Sequence, residues 1–147
     1  MFQTIVVGTD GSDTARKAVR EAVALAKSVG ASVGIVSAYE PVSQQRLREE
    51  SRQAPADTQW SINAREDVDA TLKEAAEEVE DSGVDVSTFA REGDPADAIL
   101  DVAEEEGADL IVVGNKGMTG AKRFLLGSVP NKVSHHAPCS VLIIRTV

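Results

Sequence analysis

Five short runs rich in apolar and β-branched residues recur along this chain, at Thr4 to Val7, Val33 to Ala38, Val84 to Phe89, Leu110 to Val113 and Val141 to Ile144. Runs that are apolar throughout suit strands covered on both faces, as in a parallel sheet. The segments between them carry helical periodicity. Ala15, Ala18, Val19, Ala22, Ala26 and Val29 form one stripe of a helix expected from Ser12 to Val29, with Gly30 as its stop. Val68, Leu72, Ala75 and Val79 mark a second helix that ends before Gly83. The third begins at "GDPADAIL", where Asp94 can cap and Pro95 fits the first helical position, and reaches Glu106 before Gly107. A fourth starts near Ser128, tolerates Pro130 in its first turn and ends before Pro138.

The resulting order, β-α-β-α-β-α-β-α-β, predicts right-handed crossovers and a doubly wound α/β sheet. With 147 residues and 42% hydrophobic content, one domain spanning residues 1–147 is expected. The weakly patterned connection from Glu40 to Ile62 reads as a surface loop or flap, with Trp60 as its anchor.

No apolar stretch approaches the roughly 20 residues of a membrane span, and "FQTIVVGTD" lacks the regions of a signal peptide. A cytoplasmic protein with no membrane partner is expected. The single cysteine, Cys139, lies in the apolar run "CSVLII" and reads as a buried, inert thiol. His135 and His136 suit the negative end of the last helix and have no third ligand at metal-like spacing. Ser128 and His135 are too far apart to pair as nucleophile and base, since seven residues of helix rise about 10 Å.

The net charge of −9 repels nucleic acid and anionic membrane, but it is unevenly distributed. Residues 1–109 hold all 24 carboxylates and carry −14, whereas residues 110–147 carry +5 from Lys116, Lys122, Arg123, Lys132 and Arg145. The stretch "GNKGMTGAKRFLLGSV", Gly114 to Val129, has four glycines, three cations and no acid. Two explanations compete: a site for an anionic ligand, or a patch that pairs with the acidic helices of the same chain.

Ligands of an open α/β sheet bind beyond the carboxyl ends of the strands, where the strand order reverses. If the first and fourth strands meet there, "TDGSD" and the glycine-rich loop face one crevice. Gly114, Gly117 and Gly127 would let backbone N–H groups approach a phosphate, and the fourth helix adds unpaired donors and a positive dipole end. Ser128 can cap that helix or offer its hydroxyl, and Lys116 adds mobile charge. The glycine-rich stretch is not a P-loop, and "GTDGSD" after the first strand is not a G-x-G-x-x-G fingerprint. Asp10 is placed either to accept ribose hydroxyls or to shape the turn before the first helix; Asp13 complements the helix dipole.

Gly114, two residues, Gly117, nine residues, then Gly127-Ser128 resembles the G-2x-G-9x-G-S/T nucleotide motif of the universal stress protein family. "TIVVGTDGSDTARKAV", "GDPADAIL", "DLIVVGNKG" and "APCSVLII" resemble the other family blocks in order, across essentially the whole chain. The resemblance implies a Rossmann-like sheet of order 3-2-1-4-5, a homodimer through the C-terminal strand, and ATP in the crevice of the first and fourth strands; Mg²⁺ and Mn²⁺ are the candidate companions of that ATP, and the resemblance does not choose between them. It further implies that Asp10 holds the ribose and that Thr9 with Ser37 or Ala38 lies against adenine. Gly114, Lys116, Gly117, Gly127, Ser128 and Val129 would form the phosphate loop, Val129 through its N–H. Lys116 departs from members similar to this chain but carrying arginine, and a point charge grips phosphate less tightly than a guanidinium fork.

The expected function is an ATP-binding regulatory or stress-response module with slow or no hydrolysis, since no residue stands out as a water-activating base. Alternatives are a nucleotide-independent dimeric interaction module and an adenylating or ATP-hydrolysing enzyme, to whose S-G-G-x-D-S loop "TDGSDT" is only faintly similar.

Overall fold

The computed structural model describes residues 1–39, 64–115 and 126–146. Its five strands, β1 (Thr4–Gly8), β2 (Ser32–Tyr39), β3 (Val86–Glu92), β4 (Leu110–Gly114) and β5 (Ser140–Ile144), form one parallel sheet in the order β3-β2-β1-β4-β5. The helices are α1 (Asp13–Val29), α2 (Ala64–Glu78), α3 (Pro95–Glu105) and α4 (Ser128–His136), with a 3₁₀ turn at Glu80–Ser82.

Alternation along the central strand divides the core. Ile5 and Val7 of β1 join Ile35, Ala18, Ala22 and Leu72 on the side of α1 and α2, while Val6 joins Val36, Ile99, Val102, Ile111 and Val133 on the side of α3 and α4. This doubly covered centre accounts for the unbroken apolar runs. The small residues Ala15, Ala18, Ala22 and Ala26 form the buried stripe of α1.

Local signals set the helix ends. Ser12 Oγ accepts the Ala15 N–H at 3.3 Å, and Gly30, with φ 74°, closes α1 in the left-handed region. At α3 the Asp94 carboxylate accepts the Asp97 N–H at 3.1 Å ahead of Pro95.

Both edge strands differ from the sequence expectation. β3 begins at Val86 and runs to Glu92, displaced towards the carboxyl side of the run at Val84 to Phe89. Its extent follows its partner: the ladder pairs Val33 with Val86 and continues to Tyr39 with Glu92, so polar Arg91 and Glu92 are drawn into the strand. β5 is apolar yet only partly covered: Val141 and Ile144 pack against the core, while Leu142 and Ile143 are each 38% exposed. Cys139 is half-buried beside it rather than fully buried. Its burial, aided by the charge of Asp109, raises the thiol pKa and keeps it protonated at neutral pH.

Asp109 joins elements that are distant in sequence. Its carboxylate accepts the N–H groups of Gln3 (2.9 and 3.1 Å) and Thr4 (3.1 Å), and its own N–H donates to Thr4 O at 3.0 Å. The Gln3 bond, followed by that of Thr4, holds its carboxyl below the ordinary value of 3.8. A depressed folded pKa means that the contribution is complete above the unfolded value and is lost as pH falls through the folded one. Asp109→Ala should therefore cost about 1 kcal/mol at pH 7, discounted for partial exposure. The deficit in urea midpoint should shrink below pH 3.8. An equal deficit at pH 7 and at acid pH would show that the charge plays no part.

Candidate functional site

Because β1 lies between β2 and β4, the chain leaves β1 towards one side and returns on the other, and a crevice opens at their carboxyl ends. Gly8, Thr14, Ala15, Val113, Gly114, Val129 and Thr146 line a recess there. It lies at the start of α1 and at the start of α4.

The turn after β1 is built from its own polar groups. Thr9 is 2% exposed; its N–H donates to Val36 O at 2.9 Å, and its hydroxyl accepts the Gly11 N–H at 3.1 Å. Asp10 accepts the Ser12 N–H at 2.9 Å, so this exposed carboxylate shapes the turn. Gly11 is required there: its φ is 84°, and a Cβ would meet Thr71 Oγ1 at 3.0 Å.

At the end of β2, alternation separates the two residues named for the adenine side. Ser37 follows Ile35 onto the face of β2 that bears Tyr39, beside the register of Thr9; Ala38 packs with Val36 on the opposite face. Ser37 is 4% exposed, and its hydroxyl has no hydrogen-bond partner among the described residues.

At α4 the sequence reading needs correction. Ser128 does not cap the helix: it is the first helical residue, and Gly127 is the N-cap, with φ −62° and ψ 163° and no side-chain cap bond. The Gly127 carbonyl accepts the Asn131 N–H at 3.0 Å, which fixes the extended cap residue without any help from Ser128. Among the described residues, therefore, no side chain caps the first N–H groups of α4. Pro130 has no N–H, so the first turn offers those of Ser128 and Val129, which have no acceptor among the described residues. Val129 has its side chain buried, at 5% exposure.

Gly114 ends β4 at the crevice, where a Cβ would meet Thr146 Cγ2 at 3.2 Å. Lys116 and Gly117 lie outside the described residues, as does the connection carrying Trp60. His135 and His136 sit exposed in the last turn of α4, remote from its start. Part of the basic tail pairs internally: Lys132 reaches Asp97 at 2.9 Å and Asp94 at 3.4 Å, and the Asp97 hydrogen bond foremost raises its pKa. The internal explanation of the charge reversal thus applies to Lys132.

The sequence reading missed Asn115 and Thr146. Thr146 lines the crevice from beyond β5, a placement with no local signal, whereas Asn115 sits within the glycine-rich stretch but draws no attention there.

The model of the universal stress protein family matches residues 1–145. The chain belongs to that family. A universal stress protein of Mycobacterium tuberculosis is 38% identical over 148 residues, covering 99% of this chain and 97% of the relative. Among solved structures, a universal stress protein in complex with cAMP is 34% identical with a TM-score of 0.72, covering 99% of this chain and 98% of its own. The universal stress protein from Archaeoglobus fulgidus in complex with dAMP is 27% identical with a TM-score of 0.70, covering 97% and 98%. This universal stress protein shares their Rossmann-like fold.

Proposed function

We propose that this universal stress protein binds ATP in the β1/β4 crevice and acts as a regulatory, stress-response module that hydrolyses ATP slowly or not at all. The observation that carries the reading is the start of α4 at Gly127-Ser128-Val129, which no described side chain caps, beside the Gly114 strand end. A helix N-terminus with free N–H groups and no side-chain acceptor suits a phosphate. Gly114, Gly127, Ser128 and Val129 would receive the phosphates together with Lys116 and Gly117. The buried Ser37 hydroxyl and Thr9 would meet adenine, with Ala38 behind the strand, and the exposed Asp10 carboxylate would accept ribose hydroxyls. The relatives bound to cAMP and dAMP support an adenine nucleotide as the ligand class. Mg²⁺ or Mn²⁺ would accompany the phosphates as counter-charge, and a cytoplasmic location agrees with an ATP ligand.

The deciding experiment is the nucleotide content of the acid-denatured protein, followed by thermal titration of the stripped protein with ATP and Mg²⁺. At 100 times the dissociation constant, ATP should add about 2.7 kcal/mol, a rise in Tm of roughly 8 °C for a chain of this size. No nucleotide recovered and no shift at millimolar ATP would end the reading.

A homodimer through β5 completes the proposal. An edge strand offers unpaired N–H and C=O groups, and here it is also apolar and exposed at Leu142 and Ile143. Ile143→Lys should raise the dimer dissociation constant about thirtyfold or more. Sedimentation of wild type and variant checks it; identical behaviour would place any interface elsewhere.

A further inference from the structure

Asn115, just beyond the end of β4, bonds to two other parts of the fold at the crevice. Its N–H donates to Ile144 O at 2.8 Å, at the end of β5, and its carbonyl accepts the Gly127 N–H at 2.9 Å, at the N-cap of α4. Its side-chain oxygen accepts both the N–H of Thr146 at 2.8 Å and the hydroxyl of Thr146 at 3.0 Å. The Thr146 N–H can only donate, so the atom facing it must be the amide oxygen, and the orientation of the Asn115 side chain is fixed by chemistry. Thr146 in turn lies over Gly114, within 3.2 Å of where a Cβ would stand. The segment beyond β5, the end of β4 and the start of α4 therefore meet on one residue.

We propose that Asn115 and Thr146 form a clasp that positions the start of α4 for phosphate, making them positioning residues of the nucleotide site. The inference rests on the ATP reading and goes beyond it, because neither residue belongs to the glycine motif. Gly127 has no side chain to hold itself in place, and its N–H is anchored on Asn115. If residue 115 drifts, the α4 donors drift with it. The two side-chain bonds to Thr146 restrain that drift, and they lie on the phosphate side of the crevice, away from Thr9 and Ser37. Their loss is thus felt by a ligand carrying phosphates and not by its nucleoside.

The clasp is tested by comparing ATP and adenosine binding to the full chain by calorimetry. Asn115→Ala keeps the backbone bonds and removes both side-chain bonds; ATP affinity should fall about tenfold or more, with adenosine affinity unchanged within about twofold. Thr146→Val, a milder change, removes only the hydroxyl bond and should cost ATP affinity about threefold. Thr146→Ser restores that bond and should recover wild-type affinity. Equal losses for ATP and adenosine, or a serine variant no better than valine, overturn the clasp while leaving the ATP reading intact. A wild-type protein that binds neither ligand overturns both. Should Asn115→Ala fail to fold, the valine and serine pair decides the matter alone.

Discussion

Gly127→Asp is expected to weaken ATP binding about a hundredfold or more while leaving the fold at least as stable as before. The two halves of that expectation have different causes. Gly127 holds φ −62° and ψ 163°, a conformation open to any L residue, and aspartate is among the best N-cap residues. Helix α4 should therefore lose nothing and gain a few tenths of a kcal/mol from a capped first turn. The same carboxylate would take the N–H groups proposed for phosphate and face the ligand with like charge. Two unit charges about 4 Å apart repel by about 4 kcal/mol at an effective dielectric of 20, so a loss of hundredfold or more is expected. Gly127→Asn separates charge from bulk: a neutral side chain of the same shape should lose far less affinity. Calorimetric titration of both variants, with urea unfolding as control, reads all of this. Undiminished ATP affinity in the aspartate variant would mean that phosphates do not lie at α4.

The largest effect on stability is expected from Ile111→Ala. Ile111 is fully buried in the middle of β4, paired with Val6 on one side and Val141 on the other, and packed with Ile99, Val102 and Val133. Truncation of such a residue removes its transfer free energy and leaves a cavity that a sheet flanked on both sides cannot collapse into. A loss of about 3.5 kcal/mol is expected, a large share of the roughly 5–15 kcal/mol of a typical domain. The urea midpoint should fall with an unchanged slope. A deficit below about 1 kcal/mol would show that the layer between β4 and the helices α3 and α4 relaxes freely.

Periodicity and punctuation are local properties, and they made the elements legible. An apolar stripe at helical spacing can bury only if the segment is helical, and the Asp94-Pro95 and Ser12 starts are settled within one turn of chain. The glycine-rich stretch was legible as a candidate anion site for the same reason: its composition reverses the sign of the chain over a few residues. The strand order was expected only through the family resemblance, because pairing is decided between segments such as β1 and β4 that lie about a hundred residues apart.

The sequence by itself determined which segments are strands and helices, where α1 and α3 start, and that the acid-free stretch follows a strand end. Tertiary structure decided what those signals serve. It placed Asp109 on the N–H groups of Gln3 and Thr4 across more than a hundred residues, and turned Lys132 onto Asp94 and Asp97. It left the apolar β5 only partly covered at the sheet edge although its composition matches that of the buried β4. It also gave the α4 cap to Gly127 instead of Ser128 and brought Thr146 to Asn115. The physical reason is range: propensity and capping act within about one helical turn, whereas burial, ion pairing and long-range hydrogen bonds depend on which segments the folded sheet brings together.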